Sequence, residues 1–497
     1  MTMNVIIAIS PLLALLVGGL VLMMNDAFSE EPAGVPVLGA AVLGVTAALS
    51  AGLFVSGQAA AAGTLFGGYL VNDPMSLFVD VAIGLGGALT CLLAGGYFEE
   101  HGDERGEFYV LVVFSAFGAM VLGRATDLIS LFIGLETMSL GVYCLAGFRR
   151  TSSRSAEGAL KYFLLGSFAA AILLFGSALL YGASHTTSFK GIADAVSAGT
   201  ADPSLVLFGL LMLIVGLAFK VSAVPFHMWT PDAYEGAPTP ATTFMAVAVK
   251  SAAFAVLARV LLVAFGSELL TDAQSGWPPL LGILAAITMV YGNVAAIAQT
   301  SVKRMLAYSS IAHAGYLLVG LAATVRTGST ALSAVLFYLL AYTVSNVLAF
   351  GALIVAGSHG KEAVSYEDLA GLGRRHPIVA VPFVIGILSL MGFPPTAGFF
   401  AKYYVFSAAV AAGGWMVGLA ILGMLASAVG AYYYLRVLVF LFMKEPRAGA
   451  AVAVPMRSTY VASALSVSAI MVMALGLMPS GVLRMAVEAA THLLPNA

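Results

Sequence analysis

Residues 204–250 read SLVLFGLLMLIVGLAFKVSAVPFHMWTPDAYEGAPTPATTFMAVAVK, and this stretch decides what kind of fold the chain adopts. Its first part is an apolar run that reaches Lys220, close to the roughly 20 residues with which an α-helix crosses a bilayer. Pro225 then interrupts the run, because proline lacks a backbone N–H and its ring clashes with the preceding helical turn. A second apolar run carries Lys250. The stretch therefore predicts two membrane-spanning helices, the first of them broken, with a lysine in each.

The composition of the whole chain has the same character. Of its 497 residues 61% are hydrophobic and 9% are charged, and the mean hydropathy is +1.00. Soluble proteins carry roughly 25% charged residues, so 22 basic and 24 acidic side chains are too few to cover a water-soluble protein of this size. A soluble enzyme and a disordered chain are excluded, and the net charge of −2 argues against nucleic-acid binding. The two cysteines, Cys91 and Cys144, both lie in apolar runs. We therefore expect no disulfide framework, zinc site or iron–sulfur site.

Recurring apolar runs predict an all-α polytopic membrane protein with about 14 transmembrane helices. Transmembrane β-strands are excluded because they alternate apolar and polar residues over about ten positions. The predicted helices 1 to 14 cover residues 4–24, 36–56, 74–98, 108–123, 128–148, 160–182, 204–229, 240–266, 278–298, 305–325, 329–357, 377–408, 414–442 and 458–480.

Basic residues are distributed unevenly between the connections of these helices. The odd-numbered connections hold thirteen Lys and Arg, Lys303 among them, whereas the even-numbered ones and the C-terminal tail hold four, including Arg124. The positive-inside rule then places the odd connections in the cytoplasm and both termini outside. Trp229, Trp277 and Trp415 fall at helix ends, where an aromatic belt is expected.

Seven charged residues lie inside the predicted helices. A charge at the bilayer centre costs about 2.5–3.5 kcal/mol on insertion scales, so it is retained where it is paired, faces water or carries ions. Arg259 and Arg436 are within two turns of a helix end, from which a long side chain reaches the interface. Asp80 either joins neighbouring helices or has a functional role. The seven are Asp80, Glu136, Lys220, Lys250, Arg259, Lys402 and Arg436.

Glu136 and Lys220 form a candidate pair. A carboxylate that approaches or leaves a desolvated lysine changes how tightly that lysine holds its proton; the alternative is a structural ion pair. His227 and His313 also lie in apolar runs, where each is either a proton relay or a hydrogen-bonded packing residue.

Predicted helix 12 is interrupted by Pro394 and Pro395, with Lys402 seven residues further on, much as predicted helix 7 is interrupted by Pro225. Paired broken helices are typical of transporters built from repeats. We therefore predict two units, helices 4–8 and helices 9–13. Because each unit has five helices, an odd number, the second starts on the opposite side of the membrane and is inverted relative to the first. The predicted domains are 1–107 (helices 1–3), 108–266 (first repeat), 278–445 (second repeat) and 446–497 (helix 14 and tail).

Several long motifs resemble one family. They are LFIGLETMSLGVYCLAGFRR (131–150), EGALKYFLLGSFAAAILLFGSALLYG (157–182), SAVPFHMWTPDAYEGAPTPATTFMAVAVK (222–250), NVAAIAQTSVKRMLAYSSIAHAGYLLVGL (293–321) and GFPPTAGFFAKYYVFSAAV (392–410). From about residue 75 to 445 the chain resembles the antiporter-like membrane subunits of respiratory complex I, and within them the N type. The L type has a long C-terminal lateral helix, and the M type has a glutamate where this chain has Lys402.

The resemblance implies a role for each candidate residue. Glu136 would modulate Lys220, and Lys250 would be the central relay. Lys161, which its position at the start of predicted helix 6 places in solvent, would instead lie near the Glu136–Lys220 pair. The resemblance also implies that His227 and His313 lie along a hydrated axis and that Lys402 is the last proton carrier. The axis would be lined by Tyr308, Ser309, Ser310, Tyr338 and Tyr434.

The same resemblance implies a subunit that moves protons from cytoplasm to periplasm in the bacterial inner membrane. NADH, FMN, iron–sulfur clusters and quinone would be bound by other subunits, with no cofactor in this chain. Its partners would be the other membrane subunits, homologous antiporter-like ones included, and membrane lipids. Two alternatives stay open: a subunit of an Mrp-type Na⁺/H⁺ antiporter, and a structural assembly subunit.

Overall fold

A computed structural model describes residues 3–28, 34–57, 63–101, 106–272, 275–357, 362–446 and 455–494, and most of them are helical. A two-residue antiparallel hairpin, β1 (Thr64–Leu65) and β2 (Leu70–Val71), encloses the 3₁₀ turn Phe66–Gly68, and a second 3₁₀ turn spans Glu367–Leu369. The helices are α1 (Met3–Ala8), α2 (Ser10–Phe28), α3 (Val35–Val55), α4 (Pro74–His101), α5 (Glu107–Gly123), α6 (Leu128–Ala146), α7 (Ser153–Ser184), α8 (Phe189–Ser197), α9 (Pro203–Val221), α10 (Thr230–Gly236), α11 (Thr239–Ala264), α12 (Trp277–Ile297), α13 (Val302–Thr327), α14 (Ser329–Ala356), α15 (Leu372–Arg375), α16 (Pro377–Met391), α17 (Ala397–Ala412), α18 (Trp415–Phe442), α19 (Thr459–Leu477) and α20 (Ser480–Leu493).

The predicted class, an all-α polytopic membrane protein, is confirmed. Within the described residues twelve helices are long and apolar enough to cross a membrane, or thirteen if the bent segment 367–391 forms one span. Predicted helix 4 is the shorter apolar helix α5, and predicted helix 12 is divided into α16 and α17. Hydropathy did not predict the hairpin or the short helices α8, α10 and α20, because none of them forms a long apolar run.

Three helices form the centre of the protein. In the most apolar 18-residue window of α11, α13 and α14, 89%, 94% and 100% of the residues are buried, against 28% in α2. Small residues allow close packing there: a Cβ on Gly292 of α12 would lie 2.7 Å from the backbone nitrogen of Ala312 in α13. Charged residues on these central helices are therefore surrounded by protein instead of lipid.

The first broken helix ends earlier than its hydropathy indicates. Helix α9 stops at Val221 and the break continues to Trp229, so the prediction that one helix covers 204–229 is wrong in its last part. The peptide bond Val224–Pro225 is cis. Polar groups freed by the break find side-chain partners: Trp229 Nε1 donates to the Phe219 carbonyl at 3.0 Å, and the Val224 N–H donates to Thr288 Oγ1 at 3.0 Å.

The second break follows the same principle between α16 and α17, where Pro394–Pro395 is cis. The Gly398 N–H donates to Ser389 Oγ at 3.1 Å, and Lys402 Nζ donates to the carbonyl of Met391, the last residue of α16, at 2.8 Å. A lysine thus satisfies a helix end that the break leaves open.

Buried ion pairs tie the transmembrane helices together, and they hold three cations, Arg124, Arg259 and Lys303, that the sequence places in connections or at the membrane interface. Arg124, in the connection between α5 and α6 as predicted, is wholly buried there, and its Nη2 lies 2.5 Å from Asp80 Oδ2, so Asp80 joins helices. Arg259 is 2% exposed and pairs with Asp73 at 2.7 Å, so it does not reach for the interface. Its partner explains why the charge is retained.

Lys303 is not a connection residue. Its side chain is fully buried at the start of α13, 3.3 Å from Glu362, and Glu362 is also 3.4 Å from Arg149. Lys303, Glu362 and Arg149 all belong to odd-numbered predicted connections. In the other two pairs, Arg124 and Asp73 belong to even-numbered connections. None of these pairs therefore joins an odd-numbered connection to an even-numbered one, as is required of a chain whose connections alternate between the two sides of a membrane.

Candidate functional site

Lys220 lies in the last turn of α9, where it is 4% exposed and faces two tyrosine rings. Its Nζ donates to Tyr162 Oη at 3.3 Å and lies 5.2 Å and 5.1 Å from the ring centroids of Tyr143 and Tyr162. Such cation–π contacts are favourable where water is excluded. The ammonium group is thus held by uncharged partners.

Glu136, on α6, is half-buried in the same region. Its Oε1 is buried and has no hydrogen-bond partner among the described residues, and its charge interacts electrostatically with that of Lys220. The two predicted partners are thus within electrostatic range of each other, while the side-chain hydrogen bond of the ammonium goes to Tyr162. An unpaired buried carboxylate oxygen is costly, which is typical of a functional position.

Lys161 has other partners. It is 43% exposed, and its Nζ lies 2.7 Å from both Glu157 and Asp232. Asp232, on α10, also accepts from Arg304 of α13 at 2.7 Å. Burial raises the pKa of Asp232, but the hydrogen bonds from Lys161 and Arg304 outweigh this effect and hold the pKa below its ordinary value.

Glu157 and Asp232, the two partners of Lys161, line a polar cavity of about 170 Å³ together with Arg154, Glu235 and Arg304. Lys161 itself is therefore in an ion-pair cluster at a helix end. Its neighbour in sequence, Tyr162, is the residue that reaches Lys220.

Lys250 lies deep in the protein on α11, immediately after a π-helical turn at Met245–Val249. Turns of this kind are frequent at functional sites. The side chain is 2% exposed, and Nζ donates to the carbonyl and the Oγ of Ser310 at 2.6 Å and 2.5 Å. The Tyr342 ring centroid is 5.5 Å away. Lys250 thus has neutral acceptors, as Lys220 does.

His313, on α13, lies between the central and the last lysine. One ring nitrogen, Nδ1, is hydrogen-bonded to Tyr338 Oη at 2.7 Å and the other, Nε2, to Tyr434 Oη at 3.1 Å. Tyr434 is in turn hydrogen-bonded to Ser309 Oγ. Four of the five residues predicted from their helix positions to line the axis therefore meet around Lys250 and His313: Ser309, Ser310, Tyr338 and Tyr434.

Lys402 ends the row on α17. Besides the Met391 carbonyl, its Nζ donates to Ser427 Oγ at 2.8 Å, and the Tyr316 ring centroid is 5.2 Å away. The residue is 8% exposed and lines a cavity of about 400 Å³, whose wall includes the half-exposed Tyr403. Because Tyr403 is 55% exposed, this cavity reaches the protein surface.

His227 is in the first break, 8% exposed, with its ring edge-on to Tyr291 at 4.6 Å between centroids. Tyr291 is 43% exposed and lies 6.4 Å from Tyr308. The structure thus places His227 beside a partly exposed tyrosine of α12, which is also near Tyr308.

Contacts connect the lysines in two different ways. From Lys250 to Lys402 they pass through Tyr342, His313 and Tyr316. The His313 ring centroid is 5.0 Å from that of Tyr342 and 5.5 Å from that of Tyr316. From Lys220 toward Lys250 they pass through Tyr162 and Trp229, which are stacked at 4.0 Å, to Tyr234, whose ring centroid is 6.1 Å from that of Trp229. A contact between ring faces or edges does not itself transfer a proton, so transfer along either route needs water, ring nitrogen or hydroxyl groups, or side-chain motion.

Residues 125–430 match the family described as NADH:quinone oxidoreductase/Mrp antiporter, transmembrane region. The chain is 56% identical over 499 residues to NADH-quinone oxidoreductase subunit N 1 of Sorangium cellulosum, an alignment that covers 97% of this chain and 98% of the relative. It belongs to the family of NADH-quinone oxidoreductase N subunits.

Solved structures share the fold of this chain. A chain of respiratory complex I from Thermus thermophilus, with bound aureothin, is 35% identical, covers 96% of this chain and 99% of its own, and superposes with a TM-score of 0.79. A chain of the Mrp complex from a Dietzia species shares the fold, with a TM-score of 0.84 at 22% identity, and covers 100% of this chain and 98% of its own.

Sequence reasoning about this N-subunit family member missed the partners of the buried charges. The candidates predicted from the sequence do not include Asp73, Asp232, Glu362 or Ser427. The motif TPDAYEG (230–236) follows the first break directly, so its carboxylates were a signal available in the sequence. No such signal marks Ser427. The described residues contain no group of three or more His, Cys, Asp or Glu that could hold a metal ion.

Proposed function

We propose that this chain translocates protons in the membrane arm of an NADH:quinone oxidoreductase, from the cytoplasm to the periplasm. One observation carries the proposal: three lysines are buried in the membrane-spanning fold, and each donates to neutral acceptors. A buried ammonium without a bound carboxylate is expensive, and intramembrane groups of this kind mark proton and ion pathways. The relatives' names support the assignment to this complex.

The path has three stations. Lys220, under the influence of Glu136, would receive the proton, Lys250 would pass it on, and Lys402 would release it toward the cavity that it lines. His313 would take part between Lys250 and Lys402, since both of its nitrogens are hydrogen-bonded. Lys161 and Asp232 would guide protons toward Lys220 from the odd-numbered connections, and His227 would have a lesser role.

The lysines of this row would influence one another's protonation electrostatically. Protonation of one lysine disfavours protonation of the next, because the effective dielectric constant between buried groups is low. Electron transfer from NADH to quinone, with FMN and iron–sulfur clusters, would occur in other subunits, and its driving force would reach this chain through the same row of charges.

The proposed location is the bacterial inner membrane, with the odd-numbered connections in the cytoplasm and both termini in the periplasm. Partners would be the other membrane subunits, homologous antiporter-like ones included, and lipids. The two inverted units, 108–266 and 278–445, are part of the proposal. They are supported by the two breaks, each with a cis proline and a nearby lysine.

The decisive experiment is Lys250→Ala in the assembled complex, with proton uptake and NADH:quinone electron transfer measured in sealed membrane vesicles. Protons pumped per electron should fall by the share that this subunit carries. Lys444→Ala, an exposed lysine, is the control. Unchanged pumping in the Lys250→Ala complex would refute the proposal and favour a structural subunit. Na⁺ efflux without NADH would favour an Mrp-type antiporter.

A further inference from the structure

A buried carboxylate, Glu362, binds the start of the helix that carries Lys250. Its side chain is 10% exposed, and Oε1 accepts hydrogen bonds from the Thr239 N–H at 3.0 Å and from Thr239 Oγ1 at 2.7 Å. Thr239 is the first residue of α11. Because the first N–H groups of a helix have no partner within it and carry partial positive charge, a carboxylate there stabilises the helix start.

The second oxygen of the same carboxylate binds the start of another central helix. Glu362 Oε2 lies 3.3 Å from Nζ of Lys303, the second residue of α13, and 3.4 Å from Arg149 at the end of α6. Lys303 Nζ also donates to the Ala237 carbonyl at 2.6 Å, just before α11. Glu362 and Lys303 together thus lock the beginnings of α11 and α13 to each other.

The two locked helices meet again at the centre of the proposed proton path. Lys250 follows Thr239 by 11 residues and Ser310 follows Lys303 by 7, and their side chains are in direct contact. At about 1.5 Å of rise per residue the contact lies roughly 16 Å and 10 Å along the two helices from the clamp. An axial shift of either helix start would therefore move one partner of the Lys250–Ser310 contact relative to the other.

We propose that Glu362 is a positioning residue for proton transfer, which sets the Lys250–Ser310 contact by clamping the starts of α11 and α13. The proposal rests on the proposed function. Stability alone does not account for such a cluster, because apolar replacements of buried ion pairs are often equally stable. One carboxylate oxygen of Glu362 binds Thr239 at the start of α11, and the other contacts Lys303 at the start of α13, so a single side chain connects both helix starts.

The test uses the assembled complex in sealed vesicles, with protons pumped per electron and complex content both measured. Glu362→Ala should lower the proton yield per electron to the level of Lys250→Ala, and Glu362→Asp, which keeps the charge, should restore most of it. Thr239→Val, which removes one hydrogen bond at nearly constant volume, should cause a smaller loss. Glu445→Gln, an exposed carboxylate, is the matched control.

Combination with Ser310→Ala separates positioning from general weakening. If the clamp acts through the Lys250–Ser310 contact, Glu362→Ala should cost less in the Ser310→Ala background than alone. Losses that simply add would overturn the proposal, and so would a normal proton yield from both assembled Glu362→Ala and Thr239→Val. If Glu362→Ala fails to assemble, Thr239→Val decides. If instead Lys250→Ala itself pumps normally, it is the proposed function that fails.

Discussion

Lys250 donates two hydrogen bonds to one residue, Ser310, which lies on a different helix 60 positions further along the chain. The backbone carbonyl oxygen of Ser310 has two lone pairs, so it can accept a hydrogen bond from Lys250 as well as one within α13. The Ser310 hydroxyl is the second acceptor. An ammonium group held in this way has a third proton free to transfer. The contact therefore both stabilises the buried charge and leaves it able to exchange protons.

The first prediction concerns this acceptor. Ser310→Ala removes the hydroxyl and leaves the carbonyl, so Lys250 should keep its place but lose a charge-assisted hydrogen bond of about 1.5–3 kcal/mol. Pumped protons per electron should fall partially, less than in Lys250→Ala. Ser251→Ala, next to Lys250 on the same helix, is the control, since its hydroxyl bonds only within α11 to Val247. Equal pumping by both variants would contradict a role for the contact.

A second prediction concerns release at Lys402. Lys402→Met keeps the length of the side chain but removes the ammonium, so the Met391 carbonyl and Ser427 lose their donor. Proton release should be impaired while complex assembly persists. Measurement of the proton yield per electron, normalised to complex content, checks this. Lys444→Met serves for comparison, and a normal yield from Lys402→Met would show that protons leave by another route.

The buried pair of Asp80 and Arg124 yields a prediction about stability. Asp80→Asn leaves a wholly buried arginine without a counter-charge, which should cost about 3–5 kcal/mol. The double variant Asp80→Leu with Arg124→Met should recover much of the loss, because it removes both charges. Thermal unfolding of the purified complex in detergent measures both effects.

Asp202→Asn is the control for this pair, because asparagine caps a helix start as well as the exposed Asp202 does at α9. If Asp80→Asn unfolds at the same temperature as Asp202→Asn, the buried pair does not stabilise the fold.

The Glu362 cluster predicts a pH dependence of stability. Burial raises the pKa of Glu362, but Lys303 and Arg149 outweigh it and lower the pKa to about 2, from an ordinary value of 4.5. A lowered pKa means that the folded state favours the charged form, so this stabilisation is complete above pH 4.5 and is lost as the pH falls toward 2.

Thermal unfolding of wild type and Glu362→Gln from pH 7 downward tests this expectation. The difference in unfolding temperature should be constant to about pH 4.5 and should then narrow. A difference that widens on acidification would contradict the assigned ionisation of Glu362.

Much of this protein followed from its sequence. Long apolar runs determined the helices, because only helices and closed barrels satisfy their backbone in lipid. Lys220, Lys250 and Lys402 were recognisable as functional candidates because charge is rare in such runs. The motif around Pro225 indicated the family, which the comparisons bear out.

Tertiary structure alone decided which charges meet. Arg124 pairs with Asp80 across 44 positions and Arg259 with Asp73 across 186, and no local pattern encodes such pairings. Hydropathy is the same for a helix face turned toward lipid and one turned toward protein. The sequence alone therefore predicted neither the burial of α14 nor that of Lys303. The end of α9 at Val221 was equally hidden, since it depends on donors from Trp229 and an acceptor from Thr288. A linear sequence specifies which groups need partners, and only the packed helices specify which partners they find.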